Sequence, residues 1–470
     1  MYILKNISKI FFILLFLCLN HANCAEVQKG SIEKVYLTFE QAYELMLENN
    51  NSLKAYNELI NKMKYEKRSA IGQFFPKIGL NATYLHFSED MTLTSSGSMR
   101  LGSLPISFNA NTLIQDRDVF AMGGVAIWNI FTGGKLLSNH AAARAKLEAS
   151  NEKYREIKDN LTVELVKRYY GLRFLRDVVS VKKQVLDGMQ QHLTDAKKLE
   201  KEGIISKSER LHADVAYSNA LRDYKSAIRD VNIAEEGLKT LIKCPDVDLK
   251  NVNIEPKSLL FIYNKSDIDV DLMKENALNN NPQLKQLKSK QKIMTAKYHA
   301  KLAEYSPTLS IGAYDIAAAG HLSEALPRFA VGASVNWLLF DGLSRFNDVK
   351  AAKSEKKMVN YEIIDAQYNI ECLVMKQYQE LMKHKETYES SNASVDNAQE
   401  ALRTASLAFK EGIGTSLQAT DAHMMLSKVK IERLKALYDY DVTLVDLLKT
   451  NGNTNAILNY IITSETEEYK

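Results

Sequence analysis

Hydrophobic and polar residues alternate at two places along this chain and recur at helical spacing through long stretches between and after them. In "RFAVGASVNWLLF", Phe329, Val331, Ala333, Val335, Trp337 and Leu339 share one face at period two, and Gly332, Ser334 and Asn336 share the other. The same period puts Phe120, Met122, Gly124, Ala126, Trp128 and Ile130 on one face. Each segment has a predicted partner strand upstream, at Lys77–Phe87 and at Thr308–Ile316. Past Phe131 and Phe340 the pattern changes. Thr132 and Asp341 are expected N-caps, and each is followed by a helix of about 70 residues, on the order of 100 Å long at 1.5 Å per residue. These helices end at Gly203 and Gly412. No proline occurs between Ile106 and Cys244 or between Arg328 and the C-terminus, as uninterrupted helices require. A second helix follows each glycine, reaching about Lys243 and Lys449, with Tyr217, Leu221, Tyr224, Ile228 and Val231 at coiled-coil spacing in the first. Its counterpart carries two stripes, one of Leu437, Tyr440, Leu444 and Leu447 and one of Ile431, Leu434, Tyr438, Val445 and Leu448, which predicts neighbours on both sides.

The two halves are copies. "WNIFTGGK" returns as "WLLFDGLS", so the only two tryptophans, Trp128 and Trp337, stand 209 residues apart, and Phe120, Gly123, Phe131 and Gly133 map to Phe329, Gly332, Phe340 and Gly342. "KLEKEGI" ending at Ile204 answers "AFKEGI" ending at Ile413. Upstream, "LENNNSL" answers "LNNNPQL" and "FFPKIGL" answers "YSPTLSI", at a shift of about 231 residues. The first copy therefore holds an extra loop of some twenty residues, placed in "MTLTSSGSMRLGSLPISFNAN" after Asp90. Each half reads helix, strand, strand, very long helix, sharp turn, helix. The opening helix has its start signal in "TFEQ", where Thr38 and Gln41 form a capping box. The repeats span 25–243, with a hairpin at about 76–131 and a tip near 203, and 269–450, with a hairpin at about 307–340 and a tip near 412. A polar linker, 244–268, joins them, and 451–470 is a tail.

Composition narrows the class. Lys5 and Lys9 precede the apolar run "IFFILLFLCL" and the small residues of "HANCAE", so 1–24 reads as a secretory signal cleaved near Cys24 or Ala25. No later run is apolar enough for a transmembrane helix. The exported chain is then either soluble or inserted as β-strands, and the duplicated strands with tryptophan near one end favour insertion, with Trp128 and Trp337 at the lipid headgroup level. Four strands cannot close a barrel, and open edges in lipid leave backbone groups unpaired. Two copies would give eight strands and three would give twelve. A net charge of +4 with 25% charged residues carries no nucleic-acid footprint. No phosphate loop, H-E-x-x-H, G-x-S-x-G or C-x-x-C is present, so no enzymatic activity, cofactor or metal site is expected. Cys244 and Cys372 read as structural, the methionines as packing, and the histidines as surface or packing residues, with His423, beside Asp421, the one to inspect. The competing reading, a secreted periplasmic coiled-coil scaffold without a pore, explains the helices but not the paired tryptophan-bearing strands.

In "LTFEQAYELMLENN", the repeated "NNNPQL", the strands started at Pro76 and Pro307, "NIFTGGK" with "LLFDGLS", and the turns "KEGIIS" and "KEGIGTSLQATDA", the chain resembles the TolC-like outer membrane efflux proteins over nearly its whole mature length. The resemblance implies a mainly α fold with a small membrane β part. Four strands per chain would join a trimeric twelve-stranded barrel in the outer membrane, and a coiled-coil helical barrel would extend into the periplasm. It implies a passive exit duct for drugs, small molecules or proteins, serving a tripartite efflux pump or type I secretion. The partners would be two further copies of the chain, a periplasmic adaptor, an inner-membrane transporter and outer membrane lipid. The tips Gly203, Ile204, Ser206 and Gly412, Ile413, Gly414, Thr415 would meet the adaptor. Glu209, Gln418 and Asp421 would stand at the periplasmic gate, with Asp421 matching an acidic ring position and Ser208 a polar one. Three positions depart from the family pattern: Gln418 replaces an acid, Gly414 an arginine and Phe409 a tyrosine. Lys207 and Arg210 are the nearby cations.

Overall fold

Each half opens not with one helix but with two, and the break falls on an asparagine. In the computed structural model, which describes residues 37–243, 269–319 and 327–458, α1 (Phe39–Asn49) is followed by α2 (Asn51–Gly72). Asn50 sits between them in extended conformation, and its side chain accepts the Ser52 N–H at 2.9 Å. The second half repeats the device. Here α5 (Val270–Asn280) gives way to α6 (Pro282–Ala303), with Asn281 accepting from Gln283 N at 2.9 Å and Leu284 N at 3.2 Å. The duplicated Asn-rich stretch is therefore a pair of N-caps, because asparagine competes for backbone donors where a helix restarts.

Four strands form one antiparallel sheet in the order β1-β4-β5-β6. They are β1 (Lys77–His86), β4 (Asp118–Phe131), β5 (Thr308–Ala319) and β6 (Phe329–Asn336). The registers Leu80↔Gly124, Gly124↔Asp315 and Ile311↔Ala333 give the sheet two distinct faces. One collects Ile78, Leu80, Tyr84, Phe120, Met122, Trp128 and Val331. The other carries Asn81, Thr83, Ser310, Ser334 and Asn336, with Val125 and Ile127 among them. Both faces are exposed; Ile78 on the first is 83% and Ile127 on the second 47% accessible. β6 is shorter than expected and leaves Trp337 beyond its end, because its ladder to β5 stops at Thr308↔Asn336, where Pro307 has no N–H to offer. β4 runs to Phe131 through a bulge.

The Ser/Gly/Asn-rich insertion is a second hairpin rather than a loop: β2 (Met91–Leu101) pairs with β3 (Leu104–Gln115). Gly102, at φ +67°, is the first of the two turn residues, as a type II′ hairpin turn requires. Alternation of Leu93, Met99 and Leu101 with Thr and Ser suits a strand in spite of the loop-like composition.

Past the sheet come α3 (Lys135–Lys201) and α7 (Ser344–Lys410), each of 67 residues. Their N-caps are Gly134 and Leu343, not Thr132 and Asp341, since two consecutive left-handed residues delay each helix. The expected caps still accept first-turn N–H groups, Thr132 Oγ1 from Leu136 at 3.4 Å and Asp341 Oδ2 from Arg345 at 3.1 Å. α4 (Lys207–Ile242) and α8 (Ser416–Thr450) return from the tips. Near the sheet the row of packed helices runs α2, α3, α6, α7; near the tips it runs α4, α3, α8, α7. The same four-element row is thus built twice along the two long helices, and β1 and β6 leave the sheet with two unpaired edges.

From Phe39 onward every described residue falls in one unit; a second unit, Met1–Thr38 with Asp248–Glu255, includes only Leu37 and Thr38 among them. The expected signal segment 1–24, Cys244, the linker 244–268 and residues 459–470 of the tail lie outside the described residues. Cys372 is exposed and unbridged. No described helix is long and apolar enough to cross a membrane.

Candidate functional site: the paired helical tips

Both long helices close in the same way. Gly203 (φ +77°) and Gly412 (φ +74°) are the left-handed residues. Ile204 N donates to Leu199 O at 2.9 Å and Gly203 N to Glu200 O at 3.0 Å, while Ile413 N donates to Ala408 O and Gly412 N to Phe409 O, both at 3.0 Å. This pair of bonds is the Schellman motif, which glycine enters without Cβ strain. The next helices also start alike. Ser206 accepts from Glu209 N at 3.3 Å, and Thr415 accepts from Gln418 N at 3.2 Å.

There the likeness ends. Gln418 closes its own capping box, its Oε1 accepting Thr415 N at 3.0 Å. Its counterpart Glu209 sends its carboxylate across to the other tip, where Oε2 accepts Ser416 N at 2.7 Å. An anion at that helix N-terminus is favoured by the backbone dipoles as well as by the bond itself. Ser416 is held a second time, its Oγ 2.9 Å from Nε2 of buried His192. The His192 ring lies 4.3 Å from that of Phe409. Phe409 is enclosed by Leu193, Ala196, Leu199, Ala213 and Ala419. Four helix ends are therefore tied by one apolar cluster and one polar bridge. His192 and its bond to Ser416 were not legible in the chain, since the partners lie 224 positions apart.

Ile204 (52% accessible) and Ile413 (84%) project from the two turns, and Ile204 also covers Gly412, where a Cβ would come within 2.7 Å of its Cγ2. Gly414 has no room for a side chain, a Cβ there standing 3.0 Å from Ala408 C and Phe409 N. Asp421 is exposed, one turn beyond the capping box. Arg210 is engaged within its own repeat by Glu200 at 3.0 Å and Asp214 at 2.7 Å. Lys207 and Ser208 are exposed.

His423 is set into α8 with its ring against Gly188 of α3, where a Cβ would collide with it. Burial, reinforced by neighbouring His192, lowers its pKa from the ordinary 6.5 to about 4. Burial also lowers that of His192, opposed by the charges of Asp195 and Glu209. Between pH 6.5 and 4 the unfolded chain takes up a proton at position 423 that the folded chain refuses, so the contribution of His423 to folding stability falls as pH falls through that window and is constant above it. Melting of the wild type and of His423→Asn should therefore diverge below pH 6.5, the variant losing less.

At the opposite end, the two tryptophans act alike. The Trp128 indole N–H donates to Phe74 O at 2.8 Å and that of Trp337 to Tyr305 O at 3.0 Å, each fastening a strand end to the helix-to-strand junction. Both rings are exposed.

The family model described as "Outer membrane efflux protein" matches residues 42–242 and 274–453. No curated sequence matches. Among solved structures, the outer-membrane channel OprN is similar over 88% of this chain and 90% of its own, at 17% identity and a TM-score of 0.73. The Campylobacter jejuni CmeC outer membrane channel is similar over 93% and 91%, at 15% identity and a TM-score of 0.71. VceC, an outer membrane protein of Vibrio cholerae, is similar over 87% and 96%, at 13% identity and a TM-score of 0.70.

Proposed function

Because this chain belongs to the outer membrane efflux protein family, we propose that three copies form a passive duct. It would carry cargo from a periplasmic adaptor and inner-membrane transporter, in a tripartite pump or type I secretion system, to the outside. The observation that carries this reading is the four-stranded sheet with both faces exposed and both edges unpaired, set at one end of helices on the order of 100 Å long. A pore-free scaffold has no use for such a sheet. In a barrel, the β1 edge pairs with β6 of the next copy, the face of Ile78, Leu80 and Phe120 meets lipid, and the face of Asn81, Thr83 and Ser310 meets water. Trp128 and Trp337 then lie at the periplasmic headgroup level while anchoring their strands.

At the far end the turn residues Gly203, Ile204, Ser206, Ile413 and Thr415, all exposed, and the half-buried Gly412 and Gly414 offer the adaptor a surface. The gate roles separate by what each side chain already does. Gln418 is committed to its own cap and Glu209 to Ser416, whereas exposed Asp421 is available to form a ring of three carboxylates about the axis. Such a ring favours cations and binds divalent ions. In planar bilayers Asp421→Asn should lower cation selectivity and divalent block, while Glu209→Gln should increase spontaneous opening with selectivity kept. Unchanged selectivity and block in Asp421→Asn would remove that residue from the gate.

A further inference from the structure

Among the described residues the β2–β3 ribbon has no counterpart in the second repeat, where nine positions separate β5 from β6. It stands at the end of the sheet remote from the helices, since it leaves β1 after His86 and returns to β4 at Asp118. Its base is rigidly joined. Phe87 N donates to Arg117 O at 2.8 Å, Arg117 N to Asp90 Oδ1 at 2.6 Å, and Arg117 Nε to Phe87 O at 3.2 Å.

The register divides the ribbon into unlike faces. Met99↔Ile106, Gly97↔Phe108 and Leu101↔Leu104 place Leu93, Met99, Leu101, Leu104, Ile106 and Phe108 together, while the reverse face is mainly Ser, Thr and Asn. The Phe108 ring lies over Gly97, where a Cβ would come within 2.5 Å of Cζ. Otherwise the apolar face is bare: Leu101 is 68% and Leu104 70% accessible. The substantial packing of β2 and β3 is on each other. A two-stranded ribbon in water is marginal without a third layer or further strands, and contiguous bare apolar surface of this kind marks a contact.

We propose that this face is covered by the same ribbon of the neighbouring copies, the three forming a collar that narrows the outer mouth of the duct. The proposal rests on the trimeric barrel argued above, in which the ribbons continue from strands that are themselves side by side between copies. Charge fits self-association, because Arg100, on the polar face, is the only charged residue from Met91 to Gln115. Nothing along the ribbon therefore supplies the repulsion that usually keeps exposed strands apart. Insertion into the leaflet surface fits less well, since the same span has no Trp, no Tyr and a single basic residue, against the aromatic and cationic pattern of interfacial segments.

The test uses the full chain in outer membranes, with Cys244 and Cys372 both replaced by serine. Treatment with a short bis-maleimide is expected to link copies carrying Met99→Cys and to leave those carrying Ser98→Cys, on the opposite face, unlinked. Removing residues 91–115 is expected to raise single-channel conductance severalfold with the trimer retained in mild detergent. Equal linking at both positions, or none at either with conductance unchanged, would overturn the collar. An environment-sensitive dye at position 99 that is quenched by brominated lipid would overturn it in favour of the membrane surface. A monomer in mild detergent before any treatment would overturn the barrel itself and the collar with it.

Discussion

Phe409→Ala is expected to destabilise the tips by about 3–5 kcal/mol, the usual effect of emptying a buried aromatic site. Phe409 is 1% accessible, and its ring is the largest side chain of the cluster that joins the ends of α3, α4, α7 and α8. His192 rests on that ring, and through His192 the hydroxyl of Ser416 is held. The void would therefore loosen the polar bridge as well as the apolar contact. The rest of the long helices packs through other residues, such as Val185, Leu186 and Met189 against Ala220, so the opening stays local. Amide exchange should speed up at residues 193–217 and 409–423 and hold steady near the sheet. In bilayers the variant should show larger and more frequent openings. Phe409→Leu, which keeps most of the volume, should cost less than about 1.5 kcal/mol. Wild-type protection of the tip amides in Phe409→Ala would show that the cluster does not latch them.

The duplicated glycines at the strand-to-helix corner provide an internal control. Gly133 (φ +63°) and Gly342 (φ +67°) occupy matching positions in the same left-handed conformation. Alanine at either one bears a strain of about 1–2 kcal/mol. Only Gly133 is also hemmed in: a Cβ would stand 2.5 Å from Ser306 Cβ and 2.6 Å from Ala303 O, whereas at Gly342 nothing lies within 4 Å. The first collision involves the end of α6 and adds about 1–3 kcal/mol through backbone displacement. It also forces apart the junctions at which β4 ends and β5 starts. Gly133→Ala should therefore lower the heat resistance of the assembled oligomer far more than Gly342→Ala. Equal losses would mean that the corner gives way freely and that the close approach is incidental.

The long helices and both glycine turns were legible because their signals are local or periodic, and the shift of 209 residues made each one checkable against its copy. The misreadings came where composition and geometry disagree. The opening of each half reads as one helix, yet "NNN" hides the cap of a second helix at Asn50 and Asn281. The stretch after Asp90 has the Ser, Gly and Asn of a loop, but its apolar residues keep period two, and that period is what builds the ribbon. Thr132 and Asp341 have the chemistry of caps, but the left-handed pairs Gly133–Gly134 and Gly342–Leu343 move the helix starts onward. At the tips the positions of Ser206 and Thr415 were visible, whereas the destination of the Glu209 carboxylate was not, because Ser416 is 207 residues away.

Glu209 and Gln418 occupy the same place in the two copies, and one spans the gap between tips while the other turns back on itself. A tube of three chains would have six nearly equivalent hairpins around its rim. The stitch from Glu209 to Ser416 joins them in pairs, within each chain, where covalent linkage keeps the two ends at high effective concentration. The amide at Gln418 is taken up by its own cap. The rim of such a tube would therefore be threefold in its mechanics, whatever its outward pseudo-sixfold appearance. An iris of this kind would part at three seams, its six hairpins moving as three pairs.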